Sequence, residues 1–266
     1  MSVMSAQTRP VTRNWGLVRG ILWTALGLAA VVAMIMDLGL SPKGMAAGFG
    51  KLGQFLAAMV PPSDGGDFSR ILAALIETLA MALAGTCLGV LAAIPLGIIG
   101  AKNVVRNPVF PFIYRRGLDI FRGVPALVWA LIFVAAFGLG PFGGVLALAA
   151  ADIPSLSKLF AEALENGDPG PVEGVRAAGV SPLLELRFGL APQMAPIMAS
   201  QCLYFLESNF RNAAVLGIVG AGGIGFELEE RIRVFAFDQV AFIILLYIVA
   251  VSLLDTASAW LRRTLR

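Results

Sequence analysis

From Ile71 to Gly100 the chain runs for 30 residues with one charged side chain, Glu77, and this stretch constrains the fold more than any other feature. A helix needs about 20 predominantly apolar residues to cross the hydrocarbon of a bilayer. The run therefore reads as a span long enough to tilt, or to bend at Pro95. Five more segments read the same way: Ile21–Leu40, Leu118–Gly138, Val145–Phe160, a stretch from Pro192 or Pro196 to Ile218, and Val240–Leu261. The third and fourth are joined by a tight turn, Gly138-Leu-Gly-Pro-Phe-Gly-Gly144. Composition supports lipid as the solvent, since 14% of residues are charged where soluble domains carry roughly 25%. The expected fold is an all-α integral membrane protein with about six transmembrane helices.

Six spans place both termini on one side. That side collects about twelve basic residues: Arg9, Arg13, Arg19, Lys102, Arg106, Arg115, Arg116, Arg176, Arg187, Arg262, Arg263 and Arg266. The opposite side has Lys43, Lys51, Arg231 and Arg233. An excess of Lys and Arg marks cytoplasmic loops, so both termini are expected in the cytoplasm. The first apolar run exceeds a usual signal-peptide core and no small-x-small cleavage site follows cleanly, which indicates an uncleaved span. Residues 41–67 then lie outside, with Gly44–Met59 forming a short amphipathic helix on the membrane surface.

Several function classes fall away. With no histidine, the chain lacks the commonest general base and metal ligand. An intramembrane hydrolase therefore lacks its usual parts, although that class and an ion channel remain the competing readings. Cys87 and Cys202 are far apart in apolar segments, which leaves no zinc or redox spacing and suggests two small buried hydrophobes. A net charge of +3 is too slight to argue for nucleic acid.

Between the fourth and fifth spans lies a polar island, Pro171–Pro192. Its local signals predict two short helices. Pro171 suits a first turn, where Glu173 complements the helix dipole, and Gly179 is placed as the stop. Ser181-Pro182 reads as an N-cap with proline behind it, Leu183, Leu184 and Leu186 give an apolar side, and Pro192 ends the helix. By periodicity alone this is a helix-turn-helix linker or a docking element. Small residues at Gly174, Ala177, Ala178 and Gly179 would let a partner groove approach closely.

The frame Glu173-x5-Gly179-x12-Pro192 resembles the EAA loop of ABC-importer permeases, which docks on the ATP-hydrolysing subunit. The resemblance covers roughly Ile71–Arg266 and is to the phosphonate-type branch. It rests on Glu77-Thr-Leu with Gly85-Thr86, on Ala93-Ile-Pro-Leu96, and on Phe121-Arg-Gly-Val-Pro125-Ala-Leu-Val-Trp129. Lys158-Leu-Phe-Ala-Glu162, Glu207-Ser-Asn209-Phe-Arg211 and the glycine-rich Val215–Gly225 complete it. Gly174 and Val175 stand where the family usually has alanines, and Ala151 precedes Asp152 where the branch usually has a histidine. The resemblance implies a type I importer permease of methionine-permease-like fold in a bacterial cytoplasmic (inner) membrane. Glu173, Ala177, Ala178, Gly179, Ser181 and Pro192 then couple to the ATPase. Implied partners are two copies of that ATPase, an external solute-binding protein and a second copy of this chain; ATP and magnesium sit on the ATPase, and this chain binds no cofactor. The implied cargo is a phosphonate or related phosphorus anion, with another small solute such as an amino acid as the alternative. On this basis residues 1–69 form an N-terminal unit, and 70–266 a permease core with its coupling loop at 163–192.

Ionisable side chains near mid-bilayer cost about 2.5–3.5 kcal/mol on insertion scales and so mark functional candidates. Glu207 and Arg211, four residues apart, share a helix face and are expected to pair. The pair either stabilises the bundle, or Arg211 with Asn209 lines the solute path. Gly220, Gly222, Gly223 and Gly225 form the outward end of that path, or a glycine-rich turn that permits tight packing. Arg122 and Pro125 bend the third span toward the path, unless Arg122 snorkels to the surface. Asp152 and Lys158 have no evident partner in the sequence.

Overall fold

The computed structural model describes residues 15–37, 42–105 and 109–264. Arg9, Arg13, Arg106 and Arg266 of the charge count, and the end of the first span at 38–40, lie outside the described residues. Two compact units divide at Ala57–Ala58. The first holds α1 (Trp15–Asp37) and most of α2 (Pro42–Ala58), which falls where an amphipathic helix is expected. Apolar side chains of α1 such as Trp23 and Met36 are exposed, as a helix solvated by lipid presents them.

The second unit is built on α3 (Phe68–Gly100), which runs unbroken through Pro95, and α6 (Pro141–Glu165). At 1.5 Å per residue α3 is about 50 Å long, well beyond the hydrocarbon thickness. Its two buried threonines are satisfied within the helix: Thr78 and Thr86 donate to the carbonyls of Ala74 and Ala82 at 2.9 and 2.7 Å. Lipid gives no hydrophobic push between helices, so close contact must come from small residues. Gly85, Gly89 and Gly97 provide it on α3. A Cβ added there would stand 2.7, 3.0 and 2.8 Å from the Cβ atoms of Leu148, Asp152 and Phe160, three side chains of one α6 face.

Between α3 and α6 the chain forms α4 (Val109–Arg122) and α5 (Ala126–Phe137), bent 75° from each other. A single straight span over Leu118–Gly138 is therefore not what forms. Pro125 has no N–H to continue the ladder, and it sits in extended geometry as the N-cap of α5. Past the loop helices come α9 (Ala191–Leu216), α10 (Gly223–Arg233) and α11 (Phe237–Thr264). Among the described residues, four helices (α1 from Arg19, α3, α6 and α11) are long and apolar enough to cross a membrane, and the bent α4–α5 pair makes five. At about 39 Å α9 has the length of a sixth, but its polar residues keep it out of that apolar set.

The main core gathers Met81 and Ala82 of α3, Ala130 of α5, Leu148 of α6, and Phe210 and Leu216 of α9. The helix ends beside the loop are locked by polar contacts. Arg115 pairs with Glu165 at 2.7 Å and donates to the Gly100 carbonyl at 3.0 Å, and Lys102 N donates to the same carboxylate at 2.7 Å. Lys158 pairs with Asp119 at 3.1 Å, which supplies its missing partner. The cysteines are not both buried: Cys87 is exposed on α3 and Cys202 is half-buried, both as free thiols.

Candidate functional site

The polar island folds as α7 (Pro169–Ala177) and the single turn α8 (Pro182–Glu185). Asp168 starts α7, accepting from Gly170 N at 2.9 Å, so the helix begins two residues before Pro171. Gly179 takes φ 73° and its N–H bonds the Arg176 carbonyl at 2.9 Å, ending α7 in the left-handed position that glycine suits. Ser181 stands at the N-cap of α8 ahead of Pro182, although its hydroxyl makes no capping bond. Arg176 grips Glu185 through two nitrogens at 3.0–3.2 Å, which clamps the two helices together and holds its guanidinium pKa above the ordinary value. Pro192 does not end the helix. A π-type turn over Leu186–Leu190, closed by Ala191 N to the Leu186 carbonyl, carries α8 into α9, and Pro192 falls in the first turn of α9. The wider turn accommodates a residue that lacks a backbone N–H.

The loop is anchored on one side and open on the other. Val172 packs on the backbone of buried Gly189, beside the cluster of Ala161, Leu164, Leu190 and Met194. Glu173, Gly174, Ala177, Ala178, Gly179 and Ser181 are all exposed. So are Leu183 (76%) and Phe188 (58%), an apolar surface on which, among the described residues, the Arg187 guanidinium lies 5.5 Å from the Phe188 ring centre. A Cβ at Gly174 would meet nothing within 4 Å, so no neighbour among the described residues requires glycine there.

Glu207, Asn209 and Arg211 share α9 but point three ways, and the expected Glu207–Arg211 pair does not form. Glu207 is buried and pairs with Arg262 of α11 at 2.6 Å, an ion pair without hydrogen-bond alignment. Arg211 pairs with Asp255 of α11 at 3.2 Å. Each acid thus finds its base across the antiparallel neighbour, where α11 offers an opposite charge to both. Asn209 turns inward, donating to Thr86 Oγ1 at 2.9 Å and to the Asp152 carboxylate. Three helices thereby meet at one buried polar centre, which accounts for Asp152. Asp255 was legible as an acid alone in an apolar run, a feature that by itself marks an intramembrane site. Arg262 lies outside such a run and carries no signal of that kind.

One face of α9 stays open and polar: Tyr204, Arg211 and Asn212 are exposed, and Gln201 and Ser208 half-buried. Beside Arg211 runs an apolar groove of about 360 Å³, lined by Ile218, Ile244 and Tyr247 among others. Arg122 and Pro125 are exposed at the α4–α5 break, and no hydrogen bond or ion pair among the described residues joins either to α9.

The glycine run follows α9 as a π-type turn over Gly217–Ala221, with φ 94°, 82° and 69° at Gly220, Gly222 and Gly223. It packs closely on its surroundings. A Cβ at Gly222 would lie 2.6 Å from the Glu77 carboxylate, and one at Gly225 would collide with the Ala214 carbonyl. Thr78 Oγ1 accepts from Ile224 N at 2.7 Å, and the Gly220 carbonyl accepts from Gly140 N at 2.9 Å. Past the run, a buried ionic group joins α10 to the start of α3. Arg231 holds Glu227 and Gln239, and Arg70 holds Glu227 at 2.9 Å.

The model of the family described as "Binding-protein-dependent transport system inner membrane component" matches residues 93–266. The chain is 36% identical to the phosphite transport system permease protein PtxC of Stutzerimonas stutzeri, over 97% of this chain and 96% of that one. It is 39% identical to the phosphate-import permease protein PhnE of Mycolicibacterium smegmatis, over 78% of this chain and 39% of that longer one. Among solved structures, the inward-facing MetNI methionine ABC transporter superposes with a TM-score of 0.65 at 22% identity, covering 74% of this chain and 96% of its own, which establishes the fold. With most of its length matched by the family model and nearly all of it by a relative, this chain belongs to the binding-protein-dependent transport system inner membrane components, the membrane subunits of ABC importers.

Proposed function

We propose that two copies of this chain form the membrane path of an importer for a small phosphorus oxyanion in a bacterial inner membrane. Two copies of a separate ATPase, which bind ATP and magnesium, drive it, and an external binding protein delivers the solute. The observation that carries the reading is the loop of α7 and α8: a clamped helix pair that exposes Leu183, Phe188 and a small-residue face around Glu173. An uncovered apolar patch beside open glycine positions fits a docking groove. The loop then lies in the cytoplasm with both termini, as the distribution of Arg and Lys argues.

The path follows the polar face of α9. Lipid would penalise that face by several kcal/mol for each unsatisfied group, so Tyr204, Arg211 and Asn212 look onto the second copy and the water between the two. The glycine run and its packing on Glu77 and Thr78 close the outer end. Phosphite and phosphonate anions suit this path because a relative named for phosphite transport matches nearly all of this chain and one named for phosphate import matches most of it, and because arginine matches the oxygens of such anions.

The test is co-purification of the chain with ABC ATPases of the same cell, followed by ATP-driven uptake of phosphite into proteoliposomes with the binding protein present. Gly174→Arg is the diagnostic variant. A Cβ there meets nothing within 4 Å and the backbone is helical, whereas arginine at Gly179 would strain a positive φ and blur the result. Loss of the ATPase from a correctly inserted Gly174→Arg chain supports the docking assignment; normal uptake by it removes that assignment.

A further inference from the structure

We infer that Asp255 is the resident counter-ion of Arg211: it occupies the guanidinium when no solute is present and is displaced from it by the passing anion. The inference rests on the reading of Arg211 as part of the solute path. It adds a residue that sets how tightly the path holds an anion.

Two ion pairs bridge α9 and α11, and they differ in kind. Glu207–Arg262 is close, at 2.6 Å, with the Glu207 side chain 9% exposed. Arg211–Asp255 is longer, at 3.2 Å, and both side chains are open, at 46% and 45%. A buried pair cannot release one partner without stranding a charge, whereas a half-exposed pair is weakly held and can exchange. The first is a fixed tie; the second is poised to open.

Arg211 also has donors to spare. A guanidinium carries five N–H groups, and the bond to Asp255 uses Nη1 alone. Nearly half of the side chain is exposed, on the α9 face that also carries Tyr204 and Asn212, where an anion can reach the remaining N–H groups. Arg211 lies about half a helical turn from Asn209, whose partner Thr86 sits near the middle of α3. In the empty path, the Asp255 carboxylate neutralises an arginine that would otherwise stand bare at mid-membrane. When an anion arrives, its oxygens compete for the guanidinium, and the displaced carboxylate repels it at short range. Occupancy is thereby kept weak, which passage requires, because a solute held tightly at one site does not leave it.

The experiment measures phosphite binding to the purified full-length chain in lipid nanodiscs by equilibrium dialysis, together with ATP-driven uptake by the assembled transporter. Asp255→Asn keeps the shape and removes the charge. It should bind phosphite about fivefold more tightly and turn over more slowly. Arg211→Ala should abolish binding, and Glu207→Gln should reduce stability without tightening it. Asp255→Asn binding no more tightly than wild type, while Arg211→Ala loses binding, overturns the counter-ion and leaves the path reading standing. Binding unaffected by Arg211→Ala overturns the path reading itself. Should Asp255→Asn not insert, the wild-type chain still decides. With 13C-labelled aspartate, phosphite should shift a carboxylate infrared band that Arg211→Ala does not shift, and no change on phosphite addition overturns the inference.

Discussion

The buried centre of Asn209, Thr86 and Asp152 gives the most exacting stability test. Asn209→Ala removes two hydrogen bonds, one to Thr86 at 2.9 Å and one to the Asp152 carboxylate. Between membrane helices a side-chain hydrogen bond averages about 0.6 kcal/mol, with about 1.7 as the measured maximum. The bonds alone would therefore give roughly 1–2 kcal/mol. Asp152, however, is 6% exposed and would be left with an acceptor pair lacking its donor, which adds about 1–3 kcal/mol. The expected loss is about 2–5 kcal/mol. Asp152→Ala in the Asn209→Ala background should cost far less than it does alone, giving a coupling of about 1–2 kcal/mol in a double-mutant cycle. Reversible unfolding in mixed detergent micelles, followed by tryptophan fluorescence, reads all four proteins. A coupling below about 0.5 kcal/mol, the scatter of additivity for independent sites, would refute the idea that this contact ties the three helices.

Three further outcomes are expected. Arg231→Ala leaves Glu227 buried with Arg70 as its one counter-charge among the described residues, so unfolding in micelles should show a loss of about 3 kcal/mol; a loss under about 1 kcal/mol would mean water already reaches the group. Arg176→Ala opens the exposed clamp on Glu185; it should leave the melting temperature unchanged but speed amide exchange across 169–185, and unchanged exchange would show that the clamp orders nothing. Gly220→Ala combined with Leu139→Ala relieves the side-chain clash at that position and leaves only the cost of φ 94°, about 1–2 kcal/mol. That variant should insert and bind the ATPase yet import phosphite slowly, and wild-type import by it would dissociate the turn from gating.

What the sequence made legible follows from its physics. Apolar length and local helix signals are short-range properties, so α1, α3, α6, α11 and the paired loop helices were all readable. Gly179 was readable as a stop because the left-handed turn there is a demand of its own backbone. The pairing of Glu207 and Arg211 was not, because spacing along one helix shows which residues share a face, not which neighbour faces them. Arg262 and Asp255 lie 55 and 44 residues further on, and only the packing of α11 on α9 brings them across. The same reason hid the partners of Asp152 and Lys158. Pro192 misled because a proline after a short helix usually ends it, whereas the π-type turn before it lets the helix continue.

That continuity shapes how a push at the loop would travel. The Arg176–Glu185 clamp and the seat of Val172 on Gly189 make α7 and α8 one body, and the Leu186–Leu190 turn joins that body to α9 without a linker. A lever needs a fulcrum, and Asn209 provides one by fixing α9 to α3 and α6 about two turns before its end. It also needs an end that can yield, and the Gly217–Ala221 turn, with its non-helical Gly220, lies just beyond Leu216. A body pushed at one end and pinned short of the other swings that far end the opposite way. Arg211 stands half a turn beyond the pin, so the motion there is small. The Arg211–Asp255 pair would therefore be opened by the anion rather than by the stroke, and the stroke would act chiefly on the glycine run, the proposed outer end of the path.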